Sequence, residues 1–317
     1  MKVIDVHTHL SSVDLMPERW IEHEYKICMD LCRNMLPAGV PLPSKKALIE
    51  GGGVDGLIND MDKFGINISF VMDSPKSSFY GRRTLSGKLV NQMEIEEWVN
   101  QCVAKYPDRL KGIGALDFTR GEEAIEDMER YADEFGFIGL KPYPPRGFYP
   151  NDPKIYPIYK RAQELGMHIQ FHLGGVPPGR MKYCQPIYLD DVATDFPELK
   201  IIALHMGMPH VEEVALIAAH NPNILVDISG VTLDMRYRAL HSMAYLITHV
   251  PNQVVLGTDW PCLNTNSAAF GSHVVNPVKW VNELQTPQIL SELGMPQFTD
   301  EIKRKILGKN IAEFLKL

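Results

Sequence analysis

Two histidines separated by one residue, His7 and His9, close the opening segment Met1-Lys-Val-Ile-Asp-Val-His-Thr-His-Leu10. Residues i and i+2 of a strand point to the same side. An apolar strand over Val3–Val6 would therefore aim both imidazoles in one direction, which is how one strand end supplies two ligands to a metal ion. The pair is a weak signal alone, and its weight depends on whether the rest of the chain brings further ligands to it.

The elements that must do so follow a regular order. The chain after the histidine pair carries a helix over Pro17–Met35 and then an irregular Pro/Gly-rich run from Leu36 to Gly53. Together these make residues 12–52 a lid insertion after strand one. Strands are then expected at Asn67–Met72, Leu110–Leu116, Phe137–Lys141, Met167–His172, Lys200–Leu204, Ile224–Ile228 and Val254–Leu256. Helices are expected at Val54–Phe64, Leu89–Lys105, Gly121–Phe135, Pro153–Leu165, Ile187–Asp195, Pro209–Ala219 and Arg236–Thr248, with more to Leu317. Helices that stop at glycine and run into short apolar strands are the punctuation of β/α units. Eight such units predict a single (β/α)8 TIM barrel domain over residues 1–317, with extra C-terminal helices. An open doubly wound sheet should carry a Gly-rich phosphate turn, and none is present.

In such a barrel the C-terminal ends of the strands converge on one mouth. Strand one ends in His7 and His9. Strand four ends in Lys141 (Ile138-Gly-Leu-Lys-Pro-Tyr143), strand five in His172 (Ile169-Gln-Phe-His-Leu-Gly174), and strand six in His205 (Ile201-Ile-Ala-Leu-His-Met-Gly207). Strand eight ends in Asp259 (Val254-Val-Leu-Gly-Thr-Asp-Trp260). Four of eleven histidines thus fall at the ends of strands one, five and six, where chance would scatter them. Three imidazoles and a carboxylate suit one divalent cation, zinc first and manganese as the alternative. The other histidines read as structural or surface residues. His168 lies at the wrong end of strand five, and His210, His220, His241 and His249 belong to helical segments. His23 and His273 fall in loops. Asp5 shares the alternation of His7 and is expected to orient a ligand.

Bulk properties bound the rest. With 45% hydrophobic and 22% charged residues the composition is that of a soluble globular protein. A net charge of −7 argues against a nucleic-acid partner, and no apolar run is long enough to span a membrane. No signal peptide is read at the N-terminus. The five cysteines, Cys28, Cys32, Cys102, Cys184 and Cys262, form no Cys-x-x-Cys, so no thiolate zinc site is expected. Free thiols and the missing signal predict a cytoplasmic protein.

His7-x-His9, His172, His205 and Gly257-Thr-Asp-Trp-Pro261 together resemble the amidohydrolase superfamily. More narrowly, the sequence resembles its amidohydrolase 2 branch, which holds the aminocarboxymuconate semialdehyde decarboxylase-like enzymes. The likeness runs from the opening Ile-Asp-Val-His-Thr-His to Ile306-Leu-Gly-Lys-Asn-Ile-Ala-Glu-Phe-Leu315. It implies one metal held by His7, His9, His172 and Asp259, with His205 hydrogen-bonding the metal-bound water or substrate. It also implies a homodimer. In binuclear members of the wider superfamily a strand-four lysine is carbamylated and bridges two metals. Here one metal and a substrate-contacting Lys141 are expected.

A divalent ion draws the pKa of bound water toward ~7, Asp259 can take the proton, and His205 can stabilise developing charge. The expected activity is hydrolysis of a small, carboxylate-bearing substrate by metal-activated water. The alternative is non-oxidative decarboxylation of an aromatic or dienoic acid by a carboxy-lyase. Substrate contacts are expected from Lys141, Arg146, Arg180, Tyr143 and Trp260, with Arg236, Phe148 and Tyr149 as further candidates.

Overall fold

The computed structural model describes residues 1–12, 14–35, 44–73, 83–84, 87–174, 179–229, 236–261, 276–286 and 288–317. Eight parallel strands are hydrogen-bonded in sequence order: β1 (Ile4–His9), β2 (Ile68–Met72), β3 (Leu110–Ala115), β4 (Gly139–Lys141), β5 (His168–Phe171), β6 (Ile201–Ala203), β7 (Ile224–Asp227) and β8 (Val254–Val255). The ring closes where the chain at and after β8 meets β1. There Val6 N–H donates to Leu256, Asp259 N–H to His7, and His9 N–H to Trp260. This is the (β/α)8 TIM barrel that the strand count predicts.

Helices follow the strands: α1 (Glu18–Met35), α2 (Lys45–Gly51), α3 (Val54–Phe64), α4 (Gln92–Lys105), α5 (Glu122–Asp133), α6 (Tyr156–Glu164), α7 (Ile187–Asp195), α8 (Val211–His220) and α9 (Arg236–His249). Shorter helices at Pro277–Glu283, Gln288–Glu292, Asp300–Arg304 and Asn310–Leu315 complete the described C-terminal part. Alternation along β6 shows how the layers divide. Ile201 and Ala203 join the core between strands and helices, whereas Ile202 and Leu204 join the cluster inside the barrel. That inner cluster also holds Ile4, Val6, Ile68, Phe70, Ile113, Leu225, Val255 and Ile311, the last from the C-terminal helix.

Two details depart from the expectation. The helix expected from Leu89 begins at Gln92, because Asn91 and Glu94 form a capping box, each side chain bonding the other's backbone N–H. The run from Leu36 to Gly53 is not irregular throughout: Ser44 caps α2 by accepting from Ala47 N–H, and Leu48 and Ile49 are buried. Ile49 packs with Met16, Trp20, Ile21, Val90 and Ile95 in a small core beside the barrel. Ser11, just past β1, bonds the C-terminal end of this helix, donating its N–H to Gly52 and its hydroxyl to Ile49. The insertion is thereby tied to the strand end that carries His9.

Candidate metal centre

On β1 the register against β2 slips between Asp5 and Thr8. The slip interrupts the alternation expected to put Asp5 on the face of His7. Thr8 donates its hydroxyl to Phe70 in β2, while His7 and His9 bring their Nε2 atoms to 3.0 Å from each other. Asp259 reaches the same point from the turn after β8, with Oδ1 3.4 Å from His7 Nε2 and 3.3 Å from His9 Nε2. The donor atoms of these three residues lie within 4.8 Å of one another, so the cluster could hold a metal ion. Asp259 sits in the left-handed region at φ 55°, an uncommon conformation for a residue with a Cβ. Burial opposes its charge, but His7, His9 and His205 outweigh that and hold its carboxyl well below the usual range.

Asp5 does orient this strand end, through backbone groups. Its carboxylate accepts from His7 N–H, Thr258 N–H and the Thr258 hydroxyl, locking β1 to the turn that carries Asp259. Burial pushes the Asp5 carboxyl up to about 7 despite these bonds. The His7 ring is instead braced from β7: its Nδ1 is 3.1 Å from Asp227 Oδ2 and 3.0 Å from Ser229 Oγ. The far nitrogen of the other expected pair, His9 Nδ1, is 3.1 Å from the Asp73 carbonyl after β2.

His205 and Met206 both take left-handed φ values, 59° and 53°, at the sharp exit from β6. Asp227 meets this strained turn by accepting from His205 N–H, and Ser229 Oγ is 3.0 Å from His205 Nδ1. Burial drives the His205 imidazole down to about 3, leaving it neutral near pH 7. His172 stands one ring further round, its Nδ1 3.1 Å from His205 Nε2, outside the tight His7–His9–Asp259 group. Tyr143 covers it at a ring separation of 4.9 Å.

A family model described as amidohydrolase matches residues 4–317. The chain belongs to the amidohydrolase family. A curated relative, the 2-amino-3-carboxymuconate-6-semialdehyde decarboxylase of Dictyostelium discoideum, is 22% identical over 242 residues. That match takes in 70% of this chain and 66%, just under two thirds, of the relative's length. Among solved structures, a 2,6-dihydroxybenzoate decarboxylase with 2,6-dihydroxybenzoate bound superposes with a TM-score of 0.68 at 16% identity, covering 100% of this chain and 99% of that one. A dihydroxybenzoic acid decarboxylase from a Polaromonas species, holding manganese and the inhibitor 2-nitroresorcinol, gives 0.62 at 18% identity, covering 100% and 97%. At these identities the two structures establish a shared fold.

The remaining expected residues of this amidohydrolase are spread unevenly. Lys141, at the end of β4, is buried with Nζ 3.3 Å from His7 Nε2. Arg146 pairs with Asp117 at 3.1 Å in the loop after β4. Arg180 is exposed, and its N–H bonds Pro145 across the neighbouring loop. Trp260 is buried in the outer core, its indole N–H donating to Asp60 of α3 at 2.9 Å. Phe148 packs on Phe118, and Tyr149 on Tyr183 and Tyr188. The Arg236 side chain, His273, Cys262 and the Cys28 and Cys32 side chains lie outside the described residues. His220, His241 and His249 are exposed.

Asp227, Ser229 and Asp73 escaped the sequence reading. Asp227 and Asp73 stand at the ends of β7 and β2, so the strand-end census that found the histidines would have found them had it been carried round every strand. Ser229 carries no comparable signal, because only the bend after β7 brings its hydroxyl between two imidazoles.

Proposed function

We propose that this amidohydrolase is a metal-dependent, non-oxidative decarboxylase acting on a small aromatic or dienoic carboxylic acid. The observation that carries the reading is the buried Lys141 ammonium set against His7, beside a His/His/Asp cluster fit for a divalent ion. A desolvated cation there matches a substrate carboxylate, since charge-assisted bonds gain strength where water is excluded. The relatives described above are decarboxylases, which supports this reaction over hydrolysis by metal-activated water.

The donor set of two imidazoles and a carboxylate suits zinc or manganese, with His172 as the further ligand. When bound, such an ion supplies positive charge that orients the substrate's oxygens and stabilises negative charge built up during the reaction. Lys141 holds the leaving carboxylate. Tyr143 walls the pocket beside His172, and Arg146 and Arg180 border it from the loops after β4 and β5. Asp259 or His205 delivers a proton to the carbon that bears the carboxylate. The bond to that carboxylate then breaks, its electron pair returns to the conjugated system, and carbon dioxide leaves. Asp259, ionised at rest, or His205, neutral at rest, must first collect the proton it passes on. The α1–α2 insertion, tied to the end of β1, serves as the lid. The protein works as a cytoplasmic homodimer in this reading, supported by the free thiols of Cys102 and Cys184 and by the family likeness.

A panel of hydroxybenzoic and dienoic acids, assayed for carbon dioxide beside lactones and amides assayed for acid release, tests the reaction. Carbon dioxide release that stops on chelation and returns with zinc or manganese is the expected result. Hydrolysis of a lactone or amide, with no carbon dioxide from any acid, would overturn it.

A further inference from the structure

The buried face of α3 carries Leu57, Met61 and Phe64, and among them one carboxyl group, that of Asp60, 1% exposed. A carboxyl group on such a face costs stability that a leucine would not, unless a hydrogen bond offsets it. Its Oδ2 stands 2.9 Å from the Trp260 indole nitrogen. An indole N–H only donates, so the direction of this bond is fixed whether or not Asp60 carries a proton. Trp260 is in turn tied to two of the three residues of the metal cluster. Its carbonyl accepts from His9 N–H at 2.6 Å, its own N–H donates to the Thr258 hydroxyl at 3.1 Å, and it forms a parallel bridge with Thr8. Asp259, its chain neighbour, holds the left-handed φ of 55° and donates its N–H to His7 at 2.8 Å. The same turn meets the start of α3 as well. A Cβ on Gly52, just before the N-cap of α3, would lie 3.2 Å from Pro261 Cγ and 2.1 Å from Ser11 Oγ.

We infer that Asp60 is a positioning residue: by holding the Trp260 indole it fixes the turn that carries Asp259 and the carbonyl that anchors His9. A non-glycine residue at positive φ keeps that conformation only where its surroundings over-determine it. The Trp260 ring, buried in the outer core and bonded to α3, ties this turn to the helical layer. A displacement of about 1 Å in a group that takes part in chemistry costs on the order of 10²-fold in rate. Asp60 is not itself one of the cluster's residues and acts through Trp260. Its importance for metal uptake rests on the metal-dependent reading above, whereas the tether rests on the hydrogen bonds alone.

The test compares the full chain as wild type, Asp60→Leu, Asp60→Asn, Trp260→Phe and the double variant Asp60→Leu/Trp260→Phe. Metal-free protein labelled with 15N is read first by NMR. Asp60→Leu removes the acceptor and should move the backbone amide resonances of His9 and Asp259. Asp60→Asn keeps a carbonyl oxygen for the indole and should leave both near their wild-type places. Titration with zinc ion should then show a Kd raised by roughly 10–100-fold in Asp60→Leu and in Trp260→Phe, the usual loss when a ligand's support is removed. The double variant should lose no more than the worse single one, because both break the same contact. Should Asp60→Leu fail to fold, Trp260→Phe, which keeps a ring and loses the N–H, decides through the His9 amide and the zinc Kd. A folded Asp60→Leu chain with both amides unmoved would overturn the inference. So would a zinc Kd unchanged from a zinc-binding wild type, losses that add in the double variant, or Asp60→Asn as impaired as Asp60→Leu. Amides that move as expected, in a protein whose wild type takes up no zinc, support the tether and remove the metal-dependent reading instead.

Discussion

The two ends of the barrel interior both bury histidines and surround them with different partners. Near the N-terminal end His168 is fully buried, its Nδ1 2.8 Å from the Ile138 carbonyl and its Nε2 3.1 Å from the Gln170 amide, which in turn donates to Val6. Gly139 leaves room for the ring, since a Cβ there would stand 2.5 Å from His168 Cε1. Around it are Phe70, Ile113 and the other apolar residues of the inner cluster. At the mouth His7, His172 and His205 are buried as well, but their neighbours are other titratable groups: Asp227, Asp259, Lys141 and each other. Burial therefore does not separate a structural histidine from a functional one. What separates them is whether the partners are backbone and amide groups or titratable groups that lie against one another.

This contrast predicts that substitutions at the mouth reduce turnover and those below it reduce stability. The largest effect is expected from Asp259→Asn, which should cut carbon dioxide release by about 10²–10⁴-fold, the usual range for a positioned proton carrier. Circular dichroism should show the fold retained, and near-normal turnover would remove Asp259 from proton handling. Next comes Lys141→Met. Loss of a charge-assisted bond worth about 1.5–3 kcal/mol should lower kcat/KM by roughly 10–100-fold. Steady-state rates on the best acid from the panel measure it, and an unchanged KM and kcat would dissociate Lys141 from the carboxylate.

His168→Gln should leave turnover alone and alter stability against pH. Burial draws the His168 pKa down from 6.5 to about 4. The unfolded chain then binds more protons between those values, so folding stability rises with pH across that window and is complete above it. The contribution is about 3 kcal/mol at neutral pH and is lost as pH falls from 6.5 toward 4. Denaturant titrations at pH 4.5 and 7 should show a shallower dependence in the variant. A variant with the wild-type slope but impaired turnover would place His168 with the mouth after all.

Much of the mouth could be read in the linear order of residues, for a definite reason. Strand ends are local features, and a parallel barrel turns every one of them toward the same opening. His7, His9, His172, His205, Lys141 and Asp259 were therefore recognisable before any contact was known. Trp260 was read the same way as a pocket wall, yet the structure places it in the outer core bonded to Asp60, 200 residues away in sequence. Side-chain direction past the end of a strand depends on the turn, and Asp259 with its left-handed backbone redirects that turn. The helix α2 was hidden for another reason. It is short, and its formation depends on Leu48 and Ile49 finding buried places that their own segment does not supply.

By itself the sequence determined the alternation of β/α units, the closure it implies, and that His7, His9, Lys141, His172, His205 and Asp259 would stand at strand ends. All of these follow from short-range periodicity and from where each strand stops. The tertiary structure alone decided how those residues meet. Asp227 braces His7 across 220 residues, Ser229 joins His7 to His205, and Asp5 ties the first strand to the turn after the last. Hydrogen bonds of this kind depend on atoms placed to within a few tenths of an ångström by elements far apart in the chain, and no local pattern records that distance.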